Sequence, residues 1–117
     1  MSIERLQPGP RMSQAVIHNQ TVYLAGQVAS GAKGGTVTEQ VKDILSRIET
    51  LLAEAKTDKS KILSATIWLT DMSAFVEMNT VWDAWVVPGA TPARATVASP
   101  QLAAPDYKVE IAIIAAL

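Results

Sequence analysis

The chain has 117 residues, 49% of them hydrophobic and 18% charged, with a formal net charge of −1. That length suits one domain, residues 1–117, with a real core and no room for a second, and the composition is that of a compact fold. The weak charge argues against nucleic-acid binding by bulk electrostatics; the lack of cysteine excludes a disulfide framework, thiol catalysis and a thiolate zinc site; the lone His18 excludes a histidine-pair metal site. No metal site of these kinds is therefore expected. The opening Met1-Ser2-Ile3-Glu4-Arg5 lacks the apolar core of a signal peptide, and no apolar run is long enough to span a bilayer. The expectation is a cytoplasmic protein with no membrane partner.

Residues 1–6 can form a short edge strand, followed by a loop marked by Pro8, Gly9 and Pro10. Gln14 to His18 reads as a second strand, Asn19-Gln20 as a turn, and Thr21 to Ala25 as a third strand that Gly26-Gln27 ends. Ser30 to Gly35 is glycine-rich but lacks the spacing of a phosphate loop, so it reads as a flexible surface segment. Thr36 and Glu39 make a capping box that opens the longest helix, which ends near Ala55. Val41, Ile44, Leu45, Ile48, Leu51 and Leu52 form its apolar stripe, and its charges fall mostly off that stripe. The basic cluster Lys56, Lys59 and Lys61, broken by Asp58, reads as a solvated turn.

Ile62 to Leu69 reads as a strand, and Ser73 as the N-cap of a second helix from Ala74 to about Val86. Its Phe75, Met78, Val81, Trp82 and Trp85 suit core or interface packing more than a ligand platform. Pro88, Gly89 and Pro92 end that helix and lead into the strand of Arg94; a loop over Ser99 to Asp106 precedes a last strand over 107–116. The result is an α+β fold with two helices on one face of a sheet. In the last strand Val109, Ile111, Ile113 and Ala115 form one apolar face, yet Ala112, Ile114 and Ala116 make the other apolar too. Two helices cannot cover both faces, so copies of the same chain are expected on the second.

Two charges stand out in apolar surroundings. Arg94 is the only cation between Lys61 and Lys108, and Glu110 is the only acid in the closing run. A buried ion needs a partner or a task, because desolvation costs about several kcal/mol. Arginine grips carboxylates through two parallel hydrogen bonds, and a shielded glutamate has a raised pKa and can handle a proton or position a water. The alternative is a structural Arg94–Glu110 ion pair, and sequence alone leaves both readings open. Serine-hydrolase chemistry would need His18 as base and lacks a nucleophile elbow, while a glycosidase-like carboxylate pair has only Glu110 to build on.

The segments A-T-I-W-L-T-D, M-N-T-V-W-D-A-W, T-P-A-R-A-T-V and Y-K-V-E-I within Ile62–Ala116, with Gly26-Gln27 and Val16-Ile17-His18-Asn19, carry a resemblance that spans nearly the whole chain. They resemble the reactive-intermediate deaminase (RidA/YjgF) family, and its YoaB-like branch most. The resemblance implies a chorismate-mutase-like fold, a homotrimer whose subunits bury the open sheet face, and clefts between subunits. It implies cofactor-free hydrolysis of 2-imino acids and their enamine tautomers to 2-oxo acids and ammonia. Carried over, Arg94 binds the substrate carboxylate, Glu110 orients or activates water, and Gly26, Ala25, Thr96, Asn79 and Met12 line the pocket. Relatives in the main branch carry a tyrosine after the N-terminal G-P, a serine before G-Q and a cysteine two residues after the arginine. Here Arg11-Met12, Ala25 and Thr96 stand at those places. A simple hairpin would set Arg94 opposite Glu110, whereas the family fold puts the last strand inside the sheet, away from Arg94.

Overall fold

A computed structural model describes residues 2–117 of the chain. Its elements are β1 (Glu4–Leu6), β2 (Ala15–His18), β3 (Thr21–Leu24), β4 (Gln27–Val28), α1 (Val37–Glu54), β5 (Ile62–Leu69), α2 (Phe75–Trp85), β6 (Ala93–Ala98) and β7 (Val109–Ala116). They make one sheet in the order β1-β2-β3-β7-β5-β6, with β4 also paired to β7. Only β5 and β6 run parallel, joined across α2 as a crossover unit. Asn19 and Gln20 both have positive φ, 51° and 62°, the left-handed pair that a two-residue hairpin turn between β2 and β3 requires.

The third strand ends before Gly26 as expected, but Gln27 is not part of that ending: it opens β4. β3 pairs with β7 at Ile114 to Ala116, and β4 pairs with the same edge of β7 at Glu110 and Ile111. Ala25 and Gly26 interrupt one long line of pairing and do not finish it. The backbone is held at the interruption by the Ala25 amide donating to the Gln14 carbonyl, 2.9 Å, and by the buried Gln27 amide donating to the Gln14 side chain, 3.1 Å, and the Ala25 carbonyl, 3.0 Å. β5 forms as expected and α1 ends at Glu54, beside the expected Ala55; the edge strand expected over 1–6 forms over Glu4–Leu6, Met1 lying outside the described residues, and the last strand begins at Val109 and not at Tyr107.

α1 opens with the expected capping box: the Thr36 hydroxyl accepts from the Glu39 amide, 3.1 Å, and Glu39 accepts from the Thr36 amide, 2.8 Å. Its stripe Val41, Ile44, Leu45, Ile48, Leu51 and Leu52 is buried with Val109, Ile111, Ile113 and Ala115 of β7 and Ala65, Ile67 and Leu69 of β5. Gln40 lies in the same stripe and is fully buried. It receives the Lys108 amide, 2.9 Å, and donates to the carbonyls of Asp106, 2.8 Å, and Gly35, 3.2 Å. One buried amide thus fixes the entry of the chain into β7.

Ser73 is not the N-cap of α2. The Asp71 side chain accepts from the Ser73 amide, 2.9 Å, and starts a short 3-10 turn over Met72–Ala74; Ala74 then stands at the N-cap without a side-chain bond. An aspartate reaches the amide two residues on as an Asx turn, which pre-empts the serine. Nor is the Lys56–Lys61 turn wholly solvated: Lys59 donates to the Trp85 carbonyl, 2.7 Å, and closes the end of α2.

Met78 and Trp82 of α2 join the core beside the α1 stripe, so both helices lie on one face of the sheet, as expected. Among the described residues no element covers the other face, which carries Tyr23, Trp68, Val97 and Ile114; Tyr23, Val97 and Ile114 are exposed and Trp68 half-buried. Among the described residues no helix is long and apolar enough to cross a membrane.

Candidate active site

Arg94 sits on the edge strand β6, in register with buried Ala65 of β5, and so projects on the helix face. Its guanidinium carbon lies over two rings of α2, 5.8 Å from the Phe75 centroid and 5.5 Å from that of Trp82. Among the described residues it has no ion-pair partner; the salt bridges there are Arg47–Asp43 at 2.8 Å and Lys59–Glu49 at 4.0 Å. Thr96, two residues along β6, shares the face of Arg94. Its hydroxyl is buried without a hydrogen-bond partner, as is the side-chain oxygen of Asn79, which lies between Phe75 and Trp82 on α2. Two buried polar oxygens without a hydrogen-bond partner among the described residues thus share this edge of the fold with the unpaired cation.

Glu110 lies on the opposite face. It is in register with half-buried Trp68 of β5 and with Val28 of β4, while its neighbours Val109 and Ile111 are fully buried on the helix side. Its side chain folds across the strand break at Gly26. A Cβ on Gly26 would stand 3.0 Å from the Glu110 carboxyl carbon and closer still to its Oε2. A side chain at position 26 would push the flexible Glu110 carboxyl out of its present place, so the glycine lets the carboxyl rest against the strand break. Burial raises the Glu110 carboxyl above the ordinary glutamate value of 4.5. Such a group holds its proton further towards neutrality and is better placed to exchange one with a water.

The structural ion pair is therefore not formed. β5 separates β6 from β7, and Arg94 is level with Ala65 while Glu110 is level with Trp68, three residues further on. Two strand spacings and three residue rises separate their Cα atoms by roughly 14 Å, with the side chains on opposite faces. The simple hairpin alignment fails for the same reason, and the last strand does lie inside the sheet. His18 is remote as well: it pairs with Thr21, which is level with Ala116, six residues from Glu110 along β7, or roughly 20 Å.

Of the remaining expected residues, Met12 and Gly26 line a cavity of about 620 Å³ between the β1–β2 loop, the β4 region and α1, together with Gln14, Gln27 and Arg47. Arg94, Glu110, Thr96 and Asn79 do not line it. The expected set thus falls into two groups within one chain. Arg94, Thr96 and Asn79 sit at the β6–α2 edge, while Glu110, Gly26 and Ala25 cluster at the strand break, with Met12 nearby. Sequence reasoning undervalued Phe75 and Trp82 as partners of Arg94. Their signal was the seven-residue spacing, which puts both rings on one helix face.

The family model described as Endoribonuclease L-PSP matches residues 2–117. A RutC family protein of Haemophilus influenzae is 44% identical over 115 residues, covering 98% of each chain. The RutC family protein YoaB of Escherichia coli is 43% identical over 117 residues and the whole of both chains. Among solved structures, a YjgF-family protein from Neisseria meningitidis superposes with a TM-score of 0.94 at 45% identity, covering 99% of this chain and 95% of that one. A member of the YjgF/YER057c/UK114 family from Mycobacterium tuberculosis gives 0.87 at 27% identity, covering 99% and 100%. The seven-stranded sheet with two helices on one face is the chorismate-mutase-like arrangement of these proteins, and the chain belongs to the YjgF/RidA (Endoribonuclease L-PSP) family, close to YoaB within it.

Proposed function

We propose that the protein hydrolyses 2-imino acids and their enamine tautomers to 2-oxo acids and ammonia, in a cleft shared by copies of the chain. The observation that carries this reading is the separation of Arg94 from Glu110: an unpaired guanidinium on one sheet face, and a shielded carboxyl on the other. One chain cannot bring them to one substrate; the helix-side edge of one copy against the open face of another can. The uncovered apolar face with Tyr23, Trp68, Val97 and Ile114 supplies the surface for that assembly, and a closed ring of three is the form the family resemblance favours.

In this mechanism Arg94 takes the substrate carboxylate by two in-plane N–H donors. Water adds to C2 of the iminium as Glu110 accepts one of its protons, giving a carbinolamine. Glu110 returns that proton to the amine nitrogen, the C2–N bond breaks and ammonia departs, while the proton of the C2 hydroxyl passes to Glu110 and on to the departing ammonia, leaving the 2-oxo acid carbonyl and ammonium. Ala25 and the peptide around Gly26 lie at the strand break beside Glu110, where Ala25 offers no further charge, whereas Met12 lines the cavity beside α1 with Gly26, Gln14 and Arg47. Thr96 and Asn79 lie on the Arg94 side, where their unpartnered oxygens are available to the ligand.

The test generates 2-iminobutanoate in situ and follows its decay with and without the protein. Acceleration that disappears in both Arg94→Ala and Glu110→Gln supports the reading; no acceleration, or full acceleration by Arg94→Ala, removes it. Thermal stabilisation by 2-oxobutanoate without turnover would instead indicate a carboxylate-binding regulatory module, a reading that Met12 and Ala25, in place of the main branch's tyrosine and serine, would favour. The endoribonuclease in the family description is checked in parallel with RNA, where Glu110-dependent cleavage by highly purified protein would replace the imine reading.

A further inference from the structure

Arg94 is held in an unusual way for an unpaired cation. An ion pair would fix the guanidinium but would occupy the N–H donors that lie in its plane and point outward from its edges. Here the neighbours are rings: Phe75 at 5.8 Å and Trp82 at 5.5 Å, two helical turns apart on α2, with no carboxylate partner among the described residues. Aromatic faces attract the cation through their quadrupoles and make no claim on its edge donors. Trp82 is 5% exposed and anchored in the core, whereas Phe75 is 38% exposed, an uncommon position for the chain's one phenylalanine unless it serves the group beside it. The core-anchored ring defines where the guanidinium rests, and the outer ring covers it from solvent.

We propose that Phe75 and Trp82 are positioning residues for Arg94, forming an aromatic seat that presents the guanidinium with its donors unoccupied for a bound carboxylate. The inference rests on the carboxylate-binding reading of the site, and its effect is on ligand capture. Neither ring takes part in the proton transfers. Such pre-organisation lowers the ordering cost of binding without adding a contact to the ligand.

The experiment measures 2-oxobutanoate affinity and imine hydrolysis for the wild type, Phe75→Leu and Phe75→Tyr. It adds the ¹⁵N relaxation of the Arg94 Nε–H in the ligand-free proteins. Phe75→Leu is expected to weaken binding and raise KM by about three- to tenfold with kcat little changed, and to loosen the Arg94 Nε–H, while Phe75→Tyr restores both. Trp82→Phe, which keeps a ring in the core, is expected to fall between wild type and Phe75→Leu. Equal affinity and equal Nε–H order in wild type and Phe75→Leu overturn the seat, as does equal weakening by Leu and Tyr. If the wild type takes up no 2-oxo acid, the functional reading fails instead. The relaxation data then decide the seat alone, an Nε–H as mobile in wild type as in Phe75→Leu overturning it.

Discussion

Arg94→Ala separates a structural arginine from one kept for a ligand. A guanidinium in a buried ion pair leaves an uncompensated charge when it is truncated, at a cost of about 3–5 kcal/mol of stability. Here the side chain has no ion-pair partner among the described residues, and its guanidinium lies over the Phe75 and Trp82 rings. At about 0.5–1 kcal/mol for each partly exposed cation–π contact, the stability loss should be no more than about 2 kcal/mol. The loss in binding runs the other way. Two charge-assisted hydrogen bonds to a carboxylate, at about 1.5–3 kcal/mol each, put the drop in 2-oxo acid affinity at about a hundredfold or more. Urea unfolding and calorimetric titration of the same preparations measure both quantities. A stability loss above about 3 kcal/mol, or unchanged affinity, would refute the reasoning, since either result means that the chain itself uses the charge.

Three further outcomes follow from the Glu110 side of the site, and a fourth from the buried Gln40. Burial raises the Glu110 pKa, so its charged form is disfavoured in the fold, and this group's contribution to stability falls as pH rises from 4.5 through the raised value. Glu110→Gln should therefore be more stable than wild type at about pH 7 and indistinguishable at about pH 4, as read from urea midpoints; a variant less stable at neutral pH contradicts the burial argument. If Glu110 acts as the base, wild-type kcat/KM rises with pH across the same raised value, and a flat profile would assign the proton transfer elsewhere. Gly26→Ala places a methyl group against the Glu110 carboxyl and should lower kcat by about tenfold or more while the fold survives, seen as lost turnover with an unchanged circular dichroism spectrum. Gln40→Ala strands the Lys108 amide and the Gly35 carbonyl and takes one of two donors from the Asp106 carbonyl, and should cost about 3 kcal/mol in urea unfolding together with a fall in turnover as β7 loosens.

Much of the fold could be read from local pattern. The Thr36–Glu39 box, the α1 stripe, the Asn19-Gln20 turn and the apolar second face of β7 are encoded in residues a few places apart, where periodicity and capping are reliable guides. What escaped were features decided by long-range partners. Gln27 resumes pairing because β7 passes beside it, and Gln40 reads as a polar intruder in an apolar stripe until the loop over Gly35 and Asp106 to Lys108 closes on it. Asp71 displaced Ser73 as a cap because it accepts from the Ser73 amide and draws the serine into a 3-10 turn ahead of α2, a local competition that composition does not rank. At the site, isolated charge in apolar surroundings singled out Arg94 and Glu110. That they stand on opposite faces follows only from β5 lying between β6 and β7, and an inserted strand leaves no mark in the local sequence.

The most direct test of a shared cleft is complementation. Arg94→Ala and Glu110→Gln chains, each inactive alone, are unfolded together in equal amounts and refolded. If one copy supplies the guanidinium and its neighbour the carboxyl, random assembly leaves about one site in four with both groups intact, and about a quarter of wild-type imine hydrolysis returns. If both groups serve the substrate from a single chain, no mixture contains an intact site, and the refolded sample stays as inactive as its parents.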